Sequence, residues 1–277
     1  MPPHKRIQVT DVTLSRVLTA LSTRLTEIPN AISWECSSRS AQNKKQLLEY
    51  KDKFIGKRCF IVANGPSLAK TNLDLLKDEY SFGVNRIYLN FAKSTYRPSF
   101  YVVSNDLVIQ QFHRDISNTE ILPMPKFLNW GCRKFFPGDR EDILFLKTRH
   151  VLNDRIIPDM TKPFVFGATV TFVALQLAYY MGFSKVILVG LDHKYAEVGT
   201  PNAKETRTFS KDVSHFHPDY FPKGIKWQLP DLLRSEIDYS IAREYYENTG
   251  REILDATIGG HCTIFKKAIY QDLLGSE

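Results

Sequence analysis

Phe60-Ile61-Val62-Ala63-Asn64-Gly65-Pro66-Ser67-Leu68 is the stretch that says most about the architecture of this chain. From Cys59 to Ala63 the residues are continuously apolar, the pattern of a parallel strand buried on both faces, and Gly65-Pro66 stops the run abruptly. Asn64 therefore sits at a strand's carboxyl end. Open α/β sheets bind ligands outside the carboxyl ends of their strands, and a glycine there lets backbone N–H groups approach a phosphate with no Cβ in the way.

Working outward, the pattern from Arg58 onward alternates between strand and helix. Strands are predicted over Cys59 to Ala63, Ser81 to Val84, Phe100 to Ser104, Lys126 to Asn129, Ile143 to Leu146, Val186 to Gly190 and Glu252 to Leu254. Helices are predicted over Asn72 to Lys77, Leu107 to Ile116, Ala168 to Met181, Ser235 to Thr249 and Ile264 to Leu274. Repeated βα units call for a doubly wound, mostly parallel α/β sheet with helices on both faces. The segment Ala168 to Met181 is apolar nearly all round and reads as a central buried helix. Val186 to Leu191 is a second buried strand, delivering Asp192 and His193 at its end, so two strand ends present polar groups to one crevice.

Residues 1–50 form a separate helical extension to the main domain at 51–277. Val12, Leu14, Val17, Leu18, Leu21 and Leu25 recur at helical spacing, followed by a looser polar connector from Ser37 to Lys45. Residues 194–233 have little regular periodicity and are rich in aromatics, His, Pro and Lys. A segment this long without regular structure is read as a lid or acceptor loop. Its most unusual run is Ser214-His215-Phe216-His217-Pro218-Asp219-Tyr220-Phe221.

Of the 277 residues 43% are hydrophobic, enough for a proper core, and the formal charge of +7 favours anionic partners. Basic residues are dispersed, with no arginine-rich tract or zinc-finger spacing, which argues against nucleic acid. Cys36, Cys59, Cys132 and Cys262 are far apart, against both a disulfide framework and a zinc site. No apolar run reaches the roughly 18 residues of a spanning helix. The opening Met1-Pro2-Pro3-His4-Lys5-Arg6 lacks the apolar core of a secretion signal. These features point to a cytoplasmic protein whose basic surface is open to peripheral contact with the inner face of a membrane. The N-terminal helix is open to self-association.

Three asparagines, Asn64, Asn85 and Asn105, each follow a predicted strand. Asn can read a ribose hydroxyl or a pyrimidine edge without bringing charge toward a phosphate, although it is also a frequent turn and capping residue. Walker, dinucleotide-glycine, GxSxG and zinc-protease motifs are absent from the sequence, as is an Asp-x-Asp pair.

As a set, Ala63-Asn64-Gly65-Pro66-Ser67-Leu68, Asn85, Asn105, Phe166-Gly167-Ala168-Thr169-Val170 and Val189-Gly190-Leu191-Asp192 resemble the bacterial sialyltransferases that use CMP-sialic acid. They resemble equally a wider Rossmann-like group that includes flagellin glycosyltransferase domains and a 6-hydroxymethylpterin diphosphokinase. The resemblance runs from about Arg58 to Asp255. It implies a Rossmann-like nucleotide-binding domain in which Asn64, Gly65, Pro66, Ser67, Asn85, Asn105, Gly167, Ala168 and Thr169 surround the nucleotide, with Asp106, Asp192 and His193 completing the set. It further implies inverting transfer of an acidic sugar from a CMP-activated donor to a glycan or other hydroxyl acceptor, with no metal required. His217 or His215 would be the general base, and Tyr195 and Tyr220 would assist the leaving phosphate. The same resemblance leaves two alternatives: a pterin diphosphokinase using ATP and Mg²⁺ held by Asp106, Asp192 and Asp219, and a non-catalytic nucleotide-binding domain. Trp227 is a candidate wall of the acceptor or pterin pocket, since an indole face stacks on sugars and flat heterocycles alike.

Overall fold

The computed structural model describes residue 25 and residues 27–149, 156, 159–196, 199–208 and 211–274. The amphipathic pattern from Val12 to Leu21 lies outside them. The chain divides into two compact units, residues 1–42 and 43–277. In the first, residues 27–36 are helical.

The second unit is built on one sheet of eight strands. They are β1 (Arg58–Val62), β2 (Ser81–Val84), β3 (Phe100–Val103), β4 (Lys126–Asn129), β5 (Ile143–Leu146), β6 (Lys185–Val189), β9 (Glu252–Asp255) and β10 (Lys266–Lys267), with β7 (Lys204–Thr206) and β8 (Lys226–Gln228) forming a separate antiparallel pair. The order across the sheet is β10-β9-β6-β1-β2-β3-β4-β5, and all its pairings are parallel. From β1 the chain winds one way through β2 to β5, then crosses back to lay β6 on the other side of β1. That reversal is the topological switch point of a doubly wound, Rossmann-like sheet, the place where such sheets open a crevice.

Burial explains the strand assignments. Cys59 to Val62 of β1 and Val186 to Val189 of β6 are shut away from solvent on both faces, as continuous apolar runs require. Helix α1 (Ser38–Leu48) crosses the boundary between the two units, and α2 (Asp106–Ser117), α3 (Val170–Tyr180), α4 (Leu232–Glu247) and the short α5 (Tyr270–Leu273) belong to the second. Helix α3 is buried from Thr171 to Ala178, as its all-round apolar sequence predicts. Tyr246 of α4 donates its hydroxyl to the Leu175 carbonyl (2.7 Å), tying the two helices together.

Four expectations need correction. The polar connector from Ser37 to Lys45 is largely helix α1, because Asn43 is buried and its amide both donates to the Phe145 carbonyl (2.9 Å) and accepts from the Phe145 N–H (2.6 Å), covering the edge strand β5. The helix predicted at Asn72 to Lys77 is a single 3₁₀ turn, Leu73–Leu76, with Asn72 as its cap. The helix predicted from Ile264 is instead edge strand β10 followed by one turn of α5, since the Ala268 N–H continues the ladder onto Asp255 (2.9 Å). The segment 194–233 is not without regular structure: it holds the β7–β8 hairpin. Among the described residues no helix is long and apolar enough to cross a membrane.

Candidate functional site

Beyond Val62 the backbone of β1 stays joined to β6 for two more steps. Ala63 donates to Val189 (2.8 Å) and Gly65 to the Gly190 carbonyl (2.9 Å). Pro66 then opens a 3₁₀ turn that swings Ser67 under the sheet end, where its N–H and hydroxyl both bond Asp192 (3.0 and 2.6 Å). Burial pushes the Asp192 carboxyl up from its ordinary value, an effect the Ser67 donors offset only in part. Gly65 is demanded by this approach. A Cβ there would lie 2.5 Å from Asp192 Cγ and 2.7 Å from the Gly190 oxygen.

Asn64 is 7% exposed; its amide donates to the Val84 carbonyl (2.9 Å), while its Oδ1 is buried with no protein partner. Asn85, at the end of β2, is in the left-handed region (φ 47°), which Asn tolerates better than most residues, and its Oδ1 is likewise buried and unpaired. Two orphaned amide oxygens side by side at adjacent strand ends are costly unless a donor reaches them. Asn105 differs: its Oδ1 accepts from the N–H groups of Leu107 (2.9 Å) and Val108 (3.3 Å), the work of a helix cap.

These strand ends floor a cavity of about 290 Å³. Of the predicted site residues, Asn64, Gly65, Asn85, Asn105, Gly167, Ala168, Thr169, Asp192, His193, Tyr195, His215 and Tyr220 line it. Pro66, Ser67, Asp106 and His217 do not. Ser67 is turned onto Asp192. Asp106 accepts from the Asn129 amide (2.6 Å) and the Cys132 thiol (3.2 Å), and His217 spends its Nδ1 on the Asp219 N–H (3.2 Å).

The opposite wall is the start of α3. Gly167 turns the chain at φ 68°, in the left-handed region, so that the Ala168 N–H reaches Asp238 Oδ2 (2.7 Å). Thr169 caps the helix through the Phe172 N–H (3.1 Å) and shares a hydrogen bond with the Tyr239 hydroxyl (3.2 Å). Beside it, the His193 imidazole is mostly buried and packs near the Tyr239 ring. Its Nε2 pairs with Glu236 Oε1 (3.1 Å) on α4, and its backbone is also left-handed (φ 53°).

The roof comes from residues of the segment 194–233, which is joined to the end of β1, to the turn after β2 and to helix α2. The Phe216 N–H bonds the Asn64 carbonyl (3.0 Å). Arg86, buried against the Phe112 ring, donates to the carbonyls of Asp219 (2.8 Å) and Tyr220. Gln111 and Lys226 exchange a pair of bonds (2.7 and 2.8 Å). Arg86 thus ties residues 219 and 220 to the end of β2. Trp227 is buried in the roof and lines the cavity.

His215 lies flat on Tyr220, ring centroids 4.0 Å apart, and its Nδ1 faces both oxygens of Asp212 (3.1 and 3.0 Å). Burial alone would raise the Asp212 carboxyl; His215, the Arg207 charge and the Ser214 N–H outweigh it and hold the group below its ordinary value. A carboxylate accepting from Nδ1–H fixes the tautomer that leaves Nε2 as a proton acceptor. The Tyr220 hydroxyl accepts from the Arg86 N–H (3.4 Å), and burial keeps it far above the ordinary phenol value.

Sequence reasoning missed Asp212, Glu236, Asp238 and Tyr239. Asp212 stands three residues before His215, a spacing that a turn-forming Asp makes common. Nothing in the sequence links Glu236 to a histidine 43 residues earlier.

A doubly wound parallel sheet with a lidded cleft at its switch point defines a Rossmann-like protein. Within that class the chain belongs to the family described as 6-hydroxymethylpterin diphosphokinase MptE-like, which matches residues 37–198. No curated protein matches it at a significant level. Among solved structures it is similar to the MAf glycosyltransferase from Magnetospirillum magneticum AMB-1, at 12% identity and a TM-score of 0.49, over 94% of this chain and 43% of that one. The chain thus spans less than half the length of that protein.

Proposed function

We propose that the protein is a glycosyltransferase that moves an acidic sugar from a CMP-activated donor to a hydroxyl acceptor, with inversion and without a metal. The observation that carries this reading is His215 on the cavity wall, held from behind by Asp212. The acceptor hydroxyl attacks the anomeric carbon, its proton passes to His215 Nε2, and the glycosidic C–O bond breaks with its electron pair leaving on the phosphate of CMP. The neutral amides of Asn64 and Asn85 suit the hydroxyl and amine donors of a nucleoside. Basic charge suits an anionic donor.

The second reading rests on the family description: diphosphate transfer from ATP to a pterin, which calls for Mg²⁺ and carboxylates to hold it. The carboxylates do not fit it. Asp192 is committed to Ser67, Asp106 to Asn129 and Cys132, and Asp219 lies off the cavity. Among the described residues no group of three His, Cys, Asp or Glu is placed to hold a metal ion.

Thermal shifts with CMP, ATP and GTP, each with and without Mg²⁺, separate the readings. Stabilisation by CMP without metal is expected, and a response confined to ATP with Mg²⁺ would refute sugar transfer. No response to any nucleotide would favour a non-catalytic domain. His215→Ala should abolish turnover with CMP binding within a few fold, whereas His217→Ala should retain activity.

A further inference from the structure

We propose that His193, held by Glu236, contacts the phosphate of the bound nucleotide and stabilises the negative charge that gathers there as the glycosidic bond breaks. This rests on the transferase reading above and assigns it a second histidine.

Two donor groups near the strand ends are engaged elsewhere: the Ser67 N–H and hydroxyl bond Asp192, and the Arg86 guanidinium binds the Asp219 and Tyr220 carbonyls. His193 is different. It lines the cavity together with Gly65 and Gly167, and its Nε2 is paired with Glu236 (3.1 Å). With a carboxylate on one ring nitrogen, a phosphate on the other makes the imidazolium the form that satisfies both. The arrangement is rigid: Tyr239 packs beside the ring, and the left-handed backbone at His193 costs energy that a simple loop position would not need. The two histidine–carboxylate pairs divide the work. His215 takes the acceptor's proton, His193 donates hydrogen bonds and keeps its own, and the departing electron pair stays on the phosphate oxygen. Net proton balance is unchanged: one proton leaves the acceptor for each CMP released.

The test uses the full chain and compares each of CMP, AMP and GMP with its uncharged nucleoside, by calorimetry. His193→Gln, with unfolding midpoint unchanged, should lose about tenfold or more in affinity for the nucleotide that wild type binds, and under twofold for the nucleoside. Glu236→Gln should show a smaller loss of the same kind. By NMR, nucleotide but not nucleoside should shift the His193 ring to the doubly protonated signature. Equal losses for nucleotide and nucleoside, or a full loss in a Lys194→Ala variant of the next residue, which also lines the cavity, with none in His193→Gln, would overturn the assignment. If wild type binds AMP or GMP and not CMP, the CMP-sugar reading fails while the same comparison still judges His193. If wild type binds no nucleotide, both fail.

Discussion

Gly65→Ala is the sharpest test of how the strand-end turn is built. The new methyl group would stand 2.5 Å from Asp192 Cγ and 2.7 Å from the Gly190 oxygen, and closer still to Asp192 Oδ2. The Gly190 carbonyl is backbone, fixed by the Gly65 N–H itself (2.9 Å), so it has nowhere to go. Asp192 can only rotate away by breaking its two bonds to Ser67. Hydrogen bonds to a charged group contribute about 1.5–3 kcal/mol each. Losing both, offset in part by renewed solvation of the carboxylate, gives a cost of about 3–5 kcal/mol. At about 2–4 °C per kcal/mol for a domain of this size, the unfolding midpoint should drop by about 10 °C. Differential scanning calorimetry measures it, and a double-mutant cycle locates it: in an Asp192→Ala background the cost of Gly65→Ala should fall to the part due to the Gly190 oxygen. A midpoint within 2 °C of wild type, or the same cost in both backgrounds, would refute the packing account.

Two further outcomes follow from the same geometry. Asn105→Ala should cost about 1 kcal/mol of stability, through the lost cap of α2, and leave nucleotide affinity within twofold; a tenfold loss of affinity would make Asn105 a ligand contact instead. The depressed Asp212 carboxyl makes lid seating acid-sensitive. Because the folded value lies below the unfolded one of about 3.9, its stabilisation is complete above that value and is lost as pH falls through the folded value. The Asp212 side-chain carboxyl carbon should therefore titrate below about pH 3.9, and the acid loss of stability assigned to it should vanish in Asp212→Asn.

What could be read from the sequence follows from burial. Strands β2, β4 and β5 fall on their predicted bounds, and β1, β3, β6 and β9 within one residue, because each centres on apolar residues buried on both faces. The hairpin strands β7 and β8 and the edge strand β10 carry Lys204-Glu205-Thr206, Lys226 and Lys266-Lys267, mostly exposed, so no hydrophobic period betrays them. The same logic divides the site. Gly65 and the strand-end residues Asn64, Asn85 and Asp192 are local signals, and they do gather at one cleft. Ser67, Asp106 and His217 carry equally good local signals yet point elsewhere, since a side chain's partner is fixed by packing across the fold and not by its neighbours in sequence.

That distinction bears on how the site works. His193 sits on the rigid body, anchored through α4, whereas His215 belongs to the lid and reaches the cavity only because Phe216 is bonded to the Asn64 carbonyl and Arg86 holds the two carbonyls at Asp219 and Tyr220. Asn64 therefore joins both halves: its Oδ1 faces the cavity floor without a partner while its main chain holds the base-bearing loop. On the proposed reading, the residue that offers an unpaired acceptor to the nucleotide is the same one whose carbonyl positions the loop bearing the base.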